Sequence, residues 1–164
     1  MKSVLVVDDD ADFRDSLAAM LSEVYRVETA GGKDEAMRIL NQALPDIILL
    51  DVRMESHQEG FEFVEELARL EGNKKIPVIL VTSTEAMTVS GAVADIARTT
   101  REKYNQQDMN ILVLRTVTGE VLVDYKSIKT GKQVTIQVDG YHPKPINPER
   151  IKNEIAYVLE KKSQ

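Results

Sequence analysis

The chain opens on Ser3–Val7, a continuous apolar, β-branched run that suits a strand buried on both faces of a parallel sheet, and the run stops abruptly at Asp8-Asp9-Asp10. The apolar period then changes. Phe13, Leu17, Met20 and Leu21 form one stripe at helical spacing, and Ala36, Ile39, Leu40 and Ala43 form a second that Pro45 ends. Residues 25–29 read as a short strand between them, followed by a turn at Gly31-Gly32. Residues 46–50 are another apolar run ending on an aspartate, Asp51. Phe61, Val64 and Leu67 carry a third amphipathic helix to about Leu70, and 77–81 is a fourth buried strand ending on Thr82-Ser83-Thr84. Near the end, Asn147-Pro148 is a cap followed by a proline at the first helical position, and Ile151, Ile155, Val158 and Leu159 line the last helix. Strands and helices alternating at this spacing predict right-handed crossovers and an α/β fold, a doubly wound parallel sheet with helices on both faces.

The stretch between is less regular. Ala92, Val93, Ile96 and Ala97 predict a fourth helix reaching toward Tyr104. Segments 111–117, 121–125 and 134–138 predict three strands, separated at Thr118-Gly119 and Thr130-Gly131. Val134, Ile136 and Val138 alternate with Thr135 and Gln137, the period of a half-exposed antiparallel strand. The expectation is one domain over 1–164, carrying a small antiparallel β-meander inserted at about 108–139.

Composition narrows the class. With 164 residues and 43% hydrophobic positions the chain can bury a core, and the absence of cysteine excludes disulfide staples and cysteine-ligated metal. No apolar run approaches the roughly 20 residues that cross a bilayer, and aspartates arrive too early for a signal-peptide core, so no membrane role and a cytoplasmic location are expected. Net charge is −6, unevenly spread: −9 over 1–100 and +3 over 101–164. Neither part makes a basic stripe, so direct DNA binding is not expected. The acidic part suits a cation, provided that its carboxylates converge.

Convergence is what the pattern predicts. Asp8 and Asp9 follow the first strand and Asp51 the third; where those strands are neighbours, all three carboxylates share one crevice at the carboxyl end of the sheet. Clustered carboxylates repel unless a proton or cation relieves them, and Mg²⁺ is the natural hard dication for such a set. Thr82 ends the fourth strand, where a hydroxyl can donate to an anionic oxygen, and Lys144 ends the final core strand, where an ammonium can bridge a phosphoryl group and a carboxylate. These parts suit phosphoryl transfer onto an aspartate.

VLVVDDD, DIILLDVRM followed by GFEF, PVILVTS and GYHPKPIN resemble, in order, the four signature segments of the receiver domain of two-component response regulators, over roughly 1–105 and 139–164. The resemblance implies a flavodoxin-like, five-stranded parallel sheet. It implies that Asp51 is the phospho-acceptor, charged by a phosphohistidine of a sensor histidine kinase or phosphotransfer protein. Asp9 then ligates Mg²⁺ directly, Asp8 largely through water, and Arg53 through its backbone carbonyl. Thr82 and Lys144 contact the phosphoryl oxygens, Lys144–Pro145 is cis, and Thr82 and Tyr141 form a switch that remodels a protein-interaction surface. Such a protein is a self-phosphorylating acceptor rather than a conventional enzyme.

Departures from the family pattern are specific. Thr82 and Lys144 lie 62 residues apart, whereas a whole βαβ unit needs about 30. Glu55 stands where the family usually has proline, in a polar loop over 55–59. His142 and Pro143 replace apolar residues of the last strand; Pro143 removes a ladder donor and predicts a short or edge strand, and His142 reads as a surface or satisfied histidine rather than a ligand or relay site. A phosphatase of the haloacid-dehalogenase type could use Asp8-Asp9-Asp10, but it needs an acidic pair after the lysine, and only Glu149, Glu154 and Glu160 remain, all on the last helix. The serious alternative is a receiver-like scaffold that binds a partner through its insertion regardless of phosphorylation. Segment 108–139 is electrically neutral, which leaves a passive elaboration, a docked downstream protein and a homodimer contact as its readings. The short tail after the last helix leads to the expectation of a stand-alone regulator.

Overall fold

The structure, a computed structural model, describes residues 1–52, 59–70, 75–82, 87–91, 111–116, 120–127 and 129–164. In chain order the elements are β1 (Ser3–Val7), α1 (Ala11–Leu21), β2 (Arg26–Ala30), α2 (Lys33–Gln42), β3 (Ile47–Leu50), α3 (Glu59–Leu70), β4 (Val78–Thr82), β5 (Met87–Gly91), β6 (Ile111–Thr116), β7 (Val121–Lys126), β8 (Gln133–Val138), β9 (Gly140–Pro143) and α4 (Pro148–Ser163). They fall into two units, Met1–Ser83 with Gly140–Gln164, and Thr84–Asp139.

The first unit holds a five-stranded sheet in the order β2-β1-β3-β4-β9, with every pairing parallel. Alternate residues of a strand face opposite sides, so both sides of these apolar runs must be covered. On one side Val4 and Val6 of β1, Ile47 and Leu49 of β3, and Ile79 and Val81 of β4 pack with Leu17 and Leu21 of α1 and the Ile151, Ile155, Val158 and Leu159 face of α4. Leu5, Val7, Ile48, Leu50 and Leu80 supply the other side and are equally buried, as are Ala36 and Leu40 of α2 and Phe61, Phe63 and Leu67 of α3. The doubly wound sheet read from the sequence is therefore the fold.

Local chemistry sets the helix ends. Asp10 caps α1 by accepting from Phe13 N at 3.1 Å, and Asn147 caps α4 by accepting from Arg150 N at 3.0 Å, with Pro148 in its first turn. At the amino end of the sheet Asp46 accepts from Ser3 N at 2.8 Å and from Ser3 Oγ at 3.0 Å, tying the start of β3 to the start of β1. β9 has four residues and lies at the sheet edge, as Pro143 predicts, and Lys144–Pro145 is cis.

The second unit is a four-stranded sheet in the order β5-β6-β7-β8. β6, β7 and β8 form the predicted antiparallel meander, with Val113, Val123 and Ile136 in one cross-strand row. The β7–β8 hairpin closes through Ser127 N to Lys132 O at 2.9 Å, and Gly131 sits at φ 68°, a backbone state that favours glycine. Here the sequence reading fell short. Met87–Gly91 pairs in parallel with β6, so this unit begins at Thr84 rather than near 108. MTVSG has no strong apolar period, and only its long-range pairing makes it a strand. The helix expected from Ala92 toward Tyr104 lies outside the described residues.

Candidate functional site

Parallel register brings the acidic segments together. Val7 pairs with Leu50, so β1 and β3 end level, and Asp51 N donates to Val7 O at 2.9 Å while Asp8 N donates to Ala30 O at 3.1 Å. Carboxylate oxygens of Asp8, Asp9 and Asp51 all lie within 4.8 Å of one another. Asp8 and Asp51 are buried, at 1% and 5% exposure, and Asp9 is open to solvent. Two buried carboxylates and one exposed one, all with oxygen donors, fit a hard divalent cation reached from solvent.

Lys144, just beyond β9, reaches into this cluster. Its Nζ donates to Asp8 Oδ2 at 2.7 Å and to Asp51 Oδ2 at 3.3 Å. The same ammonium lies over the Phe13 ring, 4.0 Å from the centroid. Burial pushes the Asp8 carboxyl above its usual range, helped by the Asp51 charge and opposed by the Lys144 hydrogen bond. For Lys144, burial works against the charged form, but the Asp8 hydrogen bond and the two carboxylate charges outweigh it, and its pKa rises. One cation facing three carboxylates leaves a site that attracts further positive charge.

The first turn of α1 braces the crevice from below. Asp10 N donates to Asp8 Oδ1 at 2.9 Å, and Arg14 Nη1 donates to the Asp8 carbonyl at 2.6 Å. Asp10 is thus a cap and a brace, outside the cluster of Asp8, Asp9 and Asp51. On the far side, α3 starts against the segment that follows β3: a Cβ on Gly60 would meet Asp51 O at 2.5 Å and Val52 Cα at 2.6 Å.

Other residues singled out from the sequence fall as follows. Thr82 is the last residue of β4, in register with Pro143, and its side chain lies outside the described residues. Arg53 and Glu55 also lie outside them. Tyr141 is buried at 8% exposure beside Leu80 of β4. His142 is buried and satisfied, with Nδ1 3.1 Å from Glu154 Oε2 of α4. Sequence reasoning missed Phe13, Arg14, Gly60 and Glu154 as neighbours of this region. The Asp10 cap was the one available signal for the first two, since it sets the turn that aims them.

The response regulator receiver domain family model matches residues 4–108. The chain belongs to that family. Among curated relatives, this receiver is 39% identical over 97 residues to a protein-glutamate methylesterase/protein-glutamine glutaminase of Agrobacterium fabrum, covering 57% of this chain and 26% of that protein. It is also 39% identical over 83 residues to the response regulator PleD of Caulobacter vibrioides, covering 50% of this chain and 18% of PleD. The chain therefore spans only about a quarter or less of the length of these two relatives. Among solved structures, a CheY-like receiver from Methanospirillum hungatei superposes with TM-score 0.61 at 22% identity, over 99% of this chain and 97% of that one. Chemotaxis regulator CheY4 of Vibrio cholerae gives 0.60 at 23%, over 96% and 98%. Both share the fold. As a response regulator receiver, the chain is of a kind with two-component signalling, and no helix among its described residues is long and apolar enough to cross a membrane.

Proposed function

We propose that this receiver takes a phosphoryl group onto Asp51 from a phosphohistidine of a sensor histidine kinase or phosphotransfer protein, with Mg²⁺ as cofactor. An Asp51 oxygen forms a bond to phosphorus as the donor's phosphorus–nitrogen bond breaks, and the imidazole leaves with the electron pair. The observation that carries this reading is the Lys144 ammonium, bonded to both Asp8 and Asp51 at the point where three carboxylates meet. An ammonium so held can follow the acceptor oxygen outward and balance charge on the phosphoryl oxygens.

Asp8, Asp9 and Asp51 would hold the metal, joined by the Arg53 carbonyl on the family resemblance. Bound there, Mg²⁺ would neutralise charge on the transferring phosphoryl group. Thr82 and Tyr141 serve as the switch: Thr82 is drawn toward the phosphoryl group, and Tyr141, already buried beside Leu80, is held in that packing. The phosphorylated form then favours one of two packings of a surface that a downstream protein reads. In this reading 1–164 is a single receiver domain with a β-rich insertion.

Intact mass after incubation with acetyl phosphate and Mg²⁺ tests it. Expected is an adduct of about 80 Da that mild base removes and that both Asp51→Asn and omission of Mg²⁺ abolish. An unmodified, folded protein that binds Mg²⁺ would overturn the transfer. It would favour a scaffold acting through its second unit, Thr84–Asp139, independently of phosphate.

A further inference from the structure

We propose that Phe13 is a positioning residue for the Lys144 ammonium and, through it, for phosphoryl transfer to Asp51; the second half of this claim rests on the function proposed above. Lysine carries its charge on a flexible four-carbon stem, and hydrogen bonds to two carboxylates leave the rest of the ammonium open to water. In this receiver the Phe13 ring takes that remaining side, with Nζ 4.0 Å from its centroid, well inside the roughly 6 Å reach of a cation–π contact. The Lys144 side chain is only 16% exposed, so the contact operates where solvent screens it weakly.

Phe13 is itself held in place. Its backbone N–H is the one that Asp10 accepts at 3.1 Å, so the cap that begins α1 also sets the origin of the ring. The ring packs against the core cluster formed by β1, β3, β4, α1 and α4. Next in sequence, Arg14 donates to the Asp8 carbonyl at 2.6 Å, which ties the same turn to the loop that carries the lysine's partner. One helical turn therefore fixes both a carboxylate that binds the ammonium and the aromatic face behind it.

A ring face suits this task better than another hydrogen-bond acceptor. Its attraction for a cation is broad, so Nζ can slide between Asp8, Asp51 and a phosphoryl oxygen without leaving the contact. A fourth acceptor would hold the ammonium in one pose and add negative charge to a crevice that already holds three carboxylates. An aliphatic side chain would fill the space but offer no attraction for a cation.

The test compares Phe13→Leu and Phe13→Tyr with the wild-type chain, and adds Phe13→Met as a second ring-less variant should Leu fail to fold. The first readout needs neither donor nor metal. Lys144 is labelled in the native protein with limiting acetic anhydride, and its rate is read by peptide mass against the exposed Lys2. Loss of the ring should speed labelling of Lys144 by about three- to ten-fold, while Tyr stays within about two-fold of wild type. The second readout is phosphoryl uptake from acetyl phosphate with Mg²⁺. The ring-less variants should take up the group about three- to ten-fold more slowly, again with rescue by Tyr. Equal labelling in wild type and ring-less variants would overturn the positioning role. Faster labelling with unchanged uptake would overturn its link to transfer. A wild-type chain that takes up no phosphate would refute the function proposed above, and the labelling would still decide whether Phe13 positions Lys144.

Discussion

Lys144 Nζ donates to Asp8 Oδ2 at 2.7 Å, joining residues 136 positions apart in the chain. Asp8 leaves a central strand and Lys144 an edge strand, and the β1-β3-β4-β9 order sets the span that the lysine crosses. Its ammonium is bonded to two of the three carboxylates that could hold a divalent cation. Lys144→Met should therefore tighten Mg²⁺ binding by about five- to thirty-fold, because the competing charge is gone, and should slow phosphoryl uptake. Calorimetric titration with Mg²⁺ alone checks the first effect; unchanged or weaker binding would contradict it.

Asp46 supplies a pH-dependent contribution at the opposite end of the sheet. The Ser3 backbone N–H foremost, then Lys2 and the Ser3 hydroxyl, hold its carboxyl below the ordinary aspartate range. A carboxylate lowered by folding contributes stability above its unfolded pKa and loses it as pH falls through the folded value. Asp46→Asn should cost about 0.5–1 kcal/mol near pH 7, a modest figure because the side chain is 35% exposed. The gap between variant and wild type should shrink as pH falls through that lowered value. Urea unfolding at pH 7 and at about pH 3 tests both parts.

Two glycines should answer alanine differently. A Cβ at Gly60 meets backbone, Asp51 O at 2.5 Å and Val52 Cα at 2.6 Å, so α3 or the Asp51-Val52 segment must shift. Gly60→Ala is expected to destabilise by about 1–3 kcal/mol and to weaken Mg²⁺ binding as well. At Gly131 nothing lies within 4 Å, and only its φ of 68° opposes a side chain. Gly131→Ala should cost about 1 kcal/mol and leave Mg²⁺ binding unchanged. Equal effects of the two substitutions on Mg²⁺ affinity would refute the distinction.

His142 and Glu154 should behave as a unit. The imidazole is buried on β9, its Nδ1 3.1 Å from Glu154 Oε2, and the same glutamate lies against Gly140. Glu154→Ala leaves a buried ring nitrogen without this partner and should cost about 1–3 kcal/mol. In a His142→Phe background, the same change should cost at least about 1 kcal/mol less. Additive losses across the double-mutant cycle would show that the contact is incidental.

Much of the first unit is legible in the residue pattern. Unbroken apolar runs such as Val4-Leu5-Val6-Val7 belong between two layers of helices, because a strand exposed on either side would present those residues to water. Aspartates at the ends of β1 and β3 mark the crevice, since parallel strands end on the same side of a sheet. Pro143, with no N–H to offer a ladder, foretold the short edge strand that carries Lys144 toward the site.

What the pattern left open depended on partners distant in sequence. β5 has no period of its own and becomes a strand by pairing with β6. The burial of His142 is intelligible only beside Glu154, and Phe13 reads as one more core position until the fold sets it under an ammonium 131 residues away. Local pattern reports the layer in which a residue is buried; which charge, ring or backbone it meets there is decided by strand order and register.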